Sequence, residues 1–139
     1  MKVTIYIHHT FSSPKASNGS YIYILESVIN DKPVTLTKSG KLKENKYKAE
    51  LLIILEALGR IRKDCTVEIV GVDNYFKNII DKIDAYKEAG WTNAKGKELS
   101  NLEEWKKIYE LAKKYQITTK LDEEHPYRKW MMEEVKRNG

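Results

Sequence analysis

The chain has a single cysteine, Cys65, in 139 residues, so no internal disulfide can form, and the residue belongs to no metal-ligand cluster. The fold must therefore come from an apolar core, which a chain of this length can bury without covalent staples. A reducing, cytoplasmic setting is expected, with Cys65 acting as a small residue at a strand start. Long apolar runs are also missing: none approaches the roughly 20 residues of a membrane span, so no membrane partner is expected. Residues 1–7 hold one lysine among alternating apolar residues, without the apolar core or the small-residue cleavage site of a secretion signal. No internal repeat, low-complexity tract or interdomain linker interrupts the chain, and one domain over residues 1–139 is the expectation. Charge of neither sign is scarce. The 25 Lys and Arg exceed the 20 Asp and Glu by a formal +5, which suits a polyanionic partner without requiring one.

Val3, Ile5 and Ile7 alternate with Thr4, Tyr6 and His8, the period of a strand with two unlike faces that ends near His8 or His9. Residues 10–20 collect Ser, Pro, Asn and Gly and read as a loop. Residues 21–29 are β-branched and aromatic, Asn30, Asp31, Lys32 and Pro33 interrupt them, and residues 34–37 resume, which predicts a hairpin. Over residues 47–61, Ala49, Leu52, Ile53, Leu55 and Leu58 recur at helical spacing; Leu51 and Ile54 widen the stripe, so this helix should be largely buried. Thr66–Val72 reads as a short strand. Residues 74–86 return to helical spacing through Phe76, Ile79, Ile80 and Ile83, and Gly90 closes the segment. Ser100 and Glu103 have the spacing of a capping box ahead of a helix over Leu102–Tyr115. Ile117–Leu121 reads as a last strand, and Pro126 fits the first turn of a closing amphipathic helix that runs to about Arg137. Three hairpin-like strands followed by strand–helix alternation predict an α/β fold: a mixed sheet with helices packed on its faces.

Four segments in this order resemble the ribonuclease H family. Ile5-Tyr6-Ile7-His8-His9-Thr10 is similar to the family's first-strand ending, where an aspartate precedes Gly and Ser or Ala. Lys48-Ala49-Glu50-Leu51-Leu52 resembles Arg-x-Glu-Leu at the start of the first helix. Val72-Asp73-Asn74-Tyr75-Phe76 resembles Asp-Ser-x-Tyr-Val after the fourth strand. The stretch from Gly90-Trp91 through Asn101-Leu102 to Trp105 looks like the family's Gly-Trp to Asn-x-x-Leu-Trp region. The resemblance implies a five-stranded sheet in the order 3-2-1-4-5 with helices on both faces. It also implies a site where the ends of strands one and four meet beside the first helix.

In the family, four carboxylates at that place hold two divalent cations, typically magnesium, roughly 4 Å apart; one activates water and the other stabilises the leaving oxygen of a phosphodiester. Glu50 and Asp73 stand at two of the four matching positions, as catalytic and metal-binding candidates. A bland reading is open for each: a charge in a helix first turn for Glu50, a helix N-cap for Asp73. His8 falls where the first, bridging aspartate should be. A neutral imidazole is a poor ligand for magnesium, though manganese or zinc would tolerate it. A site shared by His8 and His9 is disfavoured, because adjacent strand residues point to opposite faces. At the C-terminal end two alignments compete. One puts Met132 at the fourth carboxylate; the other puts His125 at the family's mobile catalytic histidine and leaves Glu133 or Glu134 to supply a carboxylate.

For substrate contact, Lys48 stands in place of the family's arginine, next to Lys46 and Tyr47. Lys95 and Lys97, with Lys87, flank Trp91, which combines cations with an aromatic platform. Trp105 reads as a core anchor. The reading that follows is a degenerate ribonuclease H-like domain that binds RNA–DNA hybrid or another duplex nucleic acid, with hydrolysis lost or strongly weakened. Its rivals are an active hybrid endonuclease with a variant magnesium or manganese site and a protein-interaction scaffold. A defunct site would need no metal at all.

Overall fold

A computed structural model describes residues 1–138. In chain order the elements are β1 (Lys2–His9), β2 (Ser17–Ile29), β3 (Lys32–Glu44), α1 (Lys46–Leu58), β4 (Thr66–Val72), α2 (Asn74–Ile80), α3 (Ile83–Glu88), α4 (Leu102–Tyr115), β5 (Ile117–Leu121) and α5 (Arg128–Asn138). The sheet order is β3-β2-β1-β4-β5. β1, β2 and β3 pair antiparallel, whereas β4 and β5 run parallel to β1. Among the described residues no helix is long and apolar enough to cross a membrane.

Strand parity divides the core in two. Val3, Ile5 and Ile7 share one face with Tyr21, Tyr23 and Leu25, and α1, α2 and α4 cover it with Leu51, Ile54, Phe76 and Trp105. The opposite face of β2 offers Ile22 and Ile24 to Met131 and Val135 of α5, with Tyr6 and Tyr127 at the margin. β2 is buried on both sides, which explains its continuous apolar centre. Helix α1 starts at Asn45, whose side chain accepts from the N–H groups of Tyr47 and Lys48. The face it buries holds one charged residue, Glu50.

Several expected boundaries move. The segment 10–20 is not all loop: β2 begins at Ser17 and β3 continues to Glu44. Here glycine serves close packing, since a Cβ at Gly40 would stand 2.6 Å from the Tyr21 hydroxyl oxygen. The hairpin turn takes only Asn30 and Asp31, both left-handed at φ 54° and 64°. Lys32 and Pro33 therefore lie in β3, where proline is tolerated because the strand forms the sheet edge. The helix expected over residues 74–86 is two helices, α2 and α3, with the apolar spacing preserved across the break. The capping box does not form: Asn101 is the N-cap, left-handed and without a side-chain cap bond. Glu103 and Glu104 in the first turn supply favourable charge there instead. Pro126 precedes α5 rather than entering its first turn.

One contact fixes the sheet against α1, and another fixes β4 against β1. Glu56 of α1 accepts the Tyr21 hydroxyl at 2.7 Å and the Lys38 ammonium at 2.5 Å, tying α1 to β2 and β3. Burial alone would raise the Glu56 carboxyl, but these two bonds outweigh it and hold the group below its ordinary range. Gly71, at φ +106°, lies at the register shift between Val70 and Val72, and a Cβ there would stand 2.5 Å from the Ile7 carbonyl oxygen.

Replacing Glu56 with Gln should cost about 1 kcal/mol or less near pH 7, because the Lys38 side chain is 41% exposed and screened by water. A depressed folded-state pKa gives stability that is present above the unfolded-state value and lost as pH falls through the folded one. The gap in thermal midpoint between wild type and variant should therefore close in acid; a gap that widens there would contradict the assignment. Gly71→Ala should cost roughly 2–3 kcal/mol in urea unfolding, through both the positive φ and the carbonyl contact. A loss within experimental error would show that β1 and β4 can separate freely.

Candidate active site

The ends of β1 and β4 meet the first turns of α1 at Glu50, which is 2% exposed. His9 Nε2 lies 3.1 Å from Glu50 Oε1, and the backbone N–H of Asp73 donates to Oε2 at 3.1 Å. The other His9 nitrogen, Nδ1, accepts the N–H of Phe11 at 3.2 Å. Since an accepting nitrogen carries no proton, the proton must sit on Nε2 and point at Glu50. Asp73 caps α2, with Oδ1 accepting from the Phe76 N–H at 2.9 Å. Burial pushes the Glu50 carboxyl above its ordinary range; the neighbouring Asp73 charge adds to this, while the bonds from His9 and the Asp73 backbone oppose it.

This donor set does not fit a pair of hard divalent cations. Such ions need several outward oxygen lone pairs. Each Glu50 oxygen already accepts a protein donor and keeps one lone pair, one Asp73 oxygen caps α2, and both nitrogens of the His9 ring are engaged, so few outward oxygen lone pairs remain for two ions. Among the described residues no group of three His, Cys, Asp or Glu side chains could hold a metal ion.

His8 is not beside Glu50. It shares parity with Tyr6 and lies on the α5 face, where burial lowers its pKa, Asp122 opposes that, and His125 and Arg128 add to it. His8 stands where the resemblance implies the bridging aspartate, but the imidazole that meets Glu50 is that of its neighbour His9. The alternation of Val3, Ile5 and Ile7 carried the signal: His9 continues the face that α1 covers. His125 is likewise not brought to Glu50 and Asp73. Its ring lies 4.6 Å from that of Tyr6, its Nδ1 accepts the Tyr127 N–H at 3.2 Å, and burial lowers its pKa. Asp122, which sequence reasoning did not single out, is held below the ordinary carboxylate range by a two-bond fork from Arg128, at 3.0 and 3.1 Å. On α5, Met131 and Val135 turn inward, so Glu133 is exposed on the far side; Glu134 pairs with Arg137 at 2.9 Å.

On the substrate side, Lys46 and Lys48 sit half-buried in the first turn of α1, with the Lys46 ammonium 5.0 Å from the Tyr47 ring centre. Trp91 is not an open platform: it is 9% exposed and packs edge-on against Tyr109 at 5.6 Å. Trp105 is fully buried against Phe76 and donates to the Tyr75 hydroxyl at 3.3 Å. Lys95 and Lys97 are exposed on a tight turn in which the Asn93 side chain accepts both of their backbone N–H groups, at 2.9 and 3.0 Å. The sequence therefore places two cations on a turn whose backbone is fixed.

No protein-family model matches the chain. It is similar to the ribonuclease H of Paracidovorax citrulli, 34% identical over 73 residues that cover 52% of this chain and 49% of that protein. The ribonuclease H of Roseobacter denitrificans is 32% identical over 84 residues, 60% of this chain and 56% of that one. The chain spans about half the length of the curated relatives it matches. Among solved structures, LC9-RNase H1, described as a type 1 RNase H with the type 2 active-site motif, superposes with a TM-score of 0.76 at 12% identity, over 98% of this chain and 71% of that one. The foamy viral protease-reverse transcriptase in complex with RNA/DNA hybrid gives 0.70 at 15% identity, over 97% of this chain and 19% of that one. At these identities the structural likeness establishes the fold alone. The sequence likeness of one half and the sheet order of the whole agree, and the chain has the ribonuclease H-like fold.

Proposed function

We propose that this chain binds RNA–DNA hybrid, or a closely related duplex, and that its metal-dependent phosphodiester hydrolysis is lost or strongly weakened. One observation carries the second half of the reading. The His9 imidazole, with no free lone pair, bonds the Glu50 carboxylate, and a second imidazole, His8, stands where the family resemblance implies a bridging carboxylate. Water activation and leaving-group stabilisation both need cations that this donor set is poorly built to hold, whether magnesium or manganese. The binding half is supported by the net charge of +5, by the exposed Lys95 and Lys97, and by Lys46 and Lys48 beside the candidate site. It is also supported by the foamy viral relative in fold, whose structure contains RNA/DNA hybrid. In this reading the lysines neutralise backbone phosphates, while Glu50, His9 and Asp73 hold the sheet ends in shape.

Lys95→Ala combined with Lys97→Ala should weaken hybrid binding and reduce the slope of log affinity against log salt by roughly two units, about one per lost phosphate contact. Anisotropy titrations at several ionic strengths read this directly; an unchanged slope would remove that turn from the contact surface. Wild-type cleavage of hybrid in magnesium should be absent or very slow. His9→Asp should give a magnesium-dependent rise in thermal midpoint, because it puts an oxygen ligand on the Glu50 side of β1, whereas His8→Asp on the opposite face should not. Brisk wild-type cleavage in magnesium that Glu50→Gln abolishes would overturn the proposal.

A further inference from the structure

The far end of the sheet carries a second feature, independent of the candidate site. Helix α1 stops at Leu58, before the α1 face of the sheet is fully covered, and the bare part forms a groove of about 370 Å³. Ile29, Val34 and Leu36 line it, each close to half exposed although each is a large apolar residue. Arg60, Arg62 and Lys63, from the loop that leaves α1, form its rim. Asp64 is the only acid in that loop, Glu26 at the groove accepts the Tyr127 hydroxyl, and Arg60 also interacts with Glu56, so Arg62 and Lys63 supply most of the uncompensated charge. Val3, at the groove, and His9, at the candidate site, lie six residues apart on β1, or about 20 Å at the usual rise of a strand.

We infer that this groove binds a short, extended, acidic peptide of a partner protein, with its apolar side chains on Val34 and Leu36 and its carboxylates on Arg62 and Lys63. Three occupants could be considered, and charge separates them. A second copy of the chain would bring the β3 edges together, each bearing Lys32, Lys38, Lys41 and Lys43 against Glu44, and like charges along an edge strand oppose such pairing. A nucleic acid would satisfy the cationic rim but leave the apolar floor uncovered. An acidic peptide with alternating apolar residues satisfies both, and an extended chain can also use the free edge of β3. Exposed apolar surface rimmed by charge is the usual form of such a site.

The test titrates isotope-labelled full-length chain with synthetic peptides of about eight residues in which Asp or Glu alternates with Leu, Val or Phe. Matched peptides with Lys in place of the acids, and an oligothymidylate, serve as controls. Acidic peptides should shift the amide signals of Val34, Leu36 and Arg62 saturably without displacing bound hybrid. Arg62→Glu with Lys63→Glu should weaken binding on the order of tenfold or more, a loss of about 1.4 kcal/mol. Leu36→Ser, at an exposed position that should tolerate it, should also weaken binding. The inference fails if no acidic peptide moves those signals, if lysine peptides do so equally well, or if oligothymidylate or hybrid competes for the groove.

Discussion

The contact between His9 and the buried carboxylate of Glu50 joins β1 to α1, and the arrangement of the site depends on it. A carboxylate removed from water must be met by hydrogen bonds or positive charge, or the fold loses several kcal/mol. In the family that this chain resembles, cations meet that need. Here the donors belong to the protein: the Nε2 proton of His9 and the backbone N–H of Asp73 each take one oxygen. Phe11 in turn satisfies the remaining His9 nitrogen, so neither ring nitrogen is left without a partner.

On the proposed reading, such a network supports the fold without a metal ion. The ends of β1 and β4 stay together through Gly71 and its approach to Ile7, and α1 stays on the sheet through Glu50 at one end and Glu56 toward the other. On the proposed reading, the chain retains a shape and a set of lysines suited to a duplex while its catalytic centre serves as a structural joint. The apolar groove lies at the opposite end of β1, so a peptide there and a duplex at the site would not exclude one another.

Much of this was legible in the sequence. Thr66–Val72, Leu102–Tyr115 and Ile117–Leu121 appear with the bounds that periodicity suggests, and the sheet order follows the resemblance. Glu50 and Asp73 do converge. What failed did so for identifiable reasons. The bond between His9 and Glu50 was missed because the family pattern draws attention to His8, although the alternation of Val3, Ile5 and Ile7 puts His9 on the face of α1. Gly19 fell within a segment read as loop because composition cannot distinguish a turn glycine from one that leaves room for an aromatic ring, here that of Phe11. The break between α2 and α3 keeps its apolar spacing, so periodicity could not see it. Trp91 beside lysines suggested a platform, but only tertiary contacts reveal that Tyr109 packs against it.

The central claim is that the His9 imidazole, and not a bound cation, answers the Glu50 carboxylate. Long-range proton–nitrogen correlation spectra of the His9 ring, recorded without and with saturating magnesium, test it most directly. The account predicts a ring protonated at Nε2 and not at Nδ1, with a pattern that magnesium leaves unchanged. A ring that gives up its bond to Glu50 when magnesium is added, while the carboxylate carbons of Glu50 and Asp73 shift together, would contradict it.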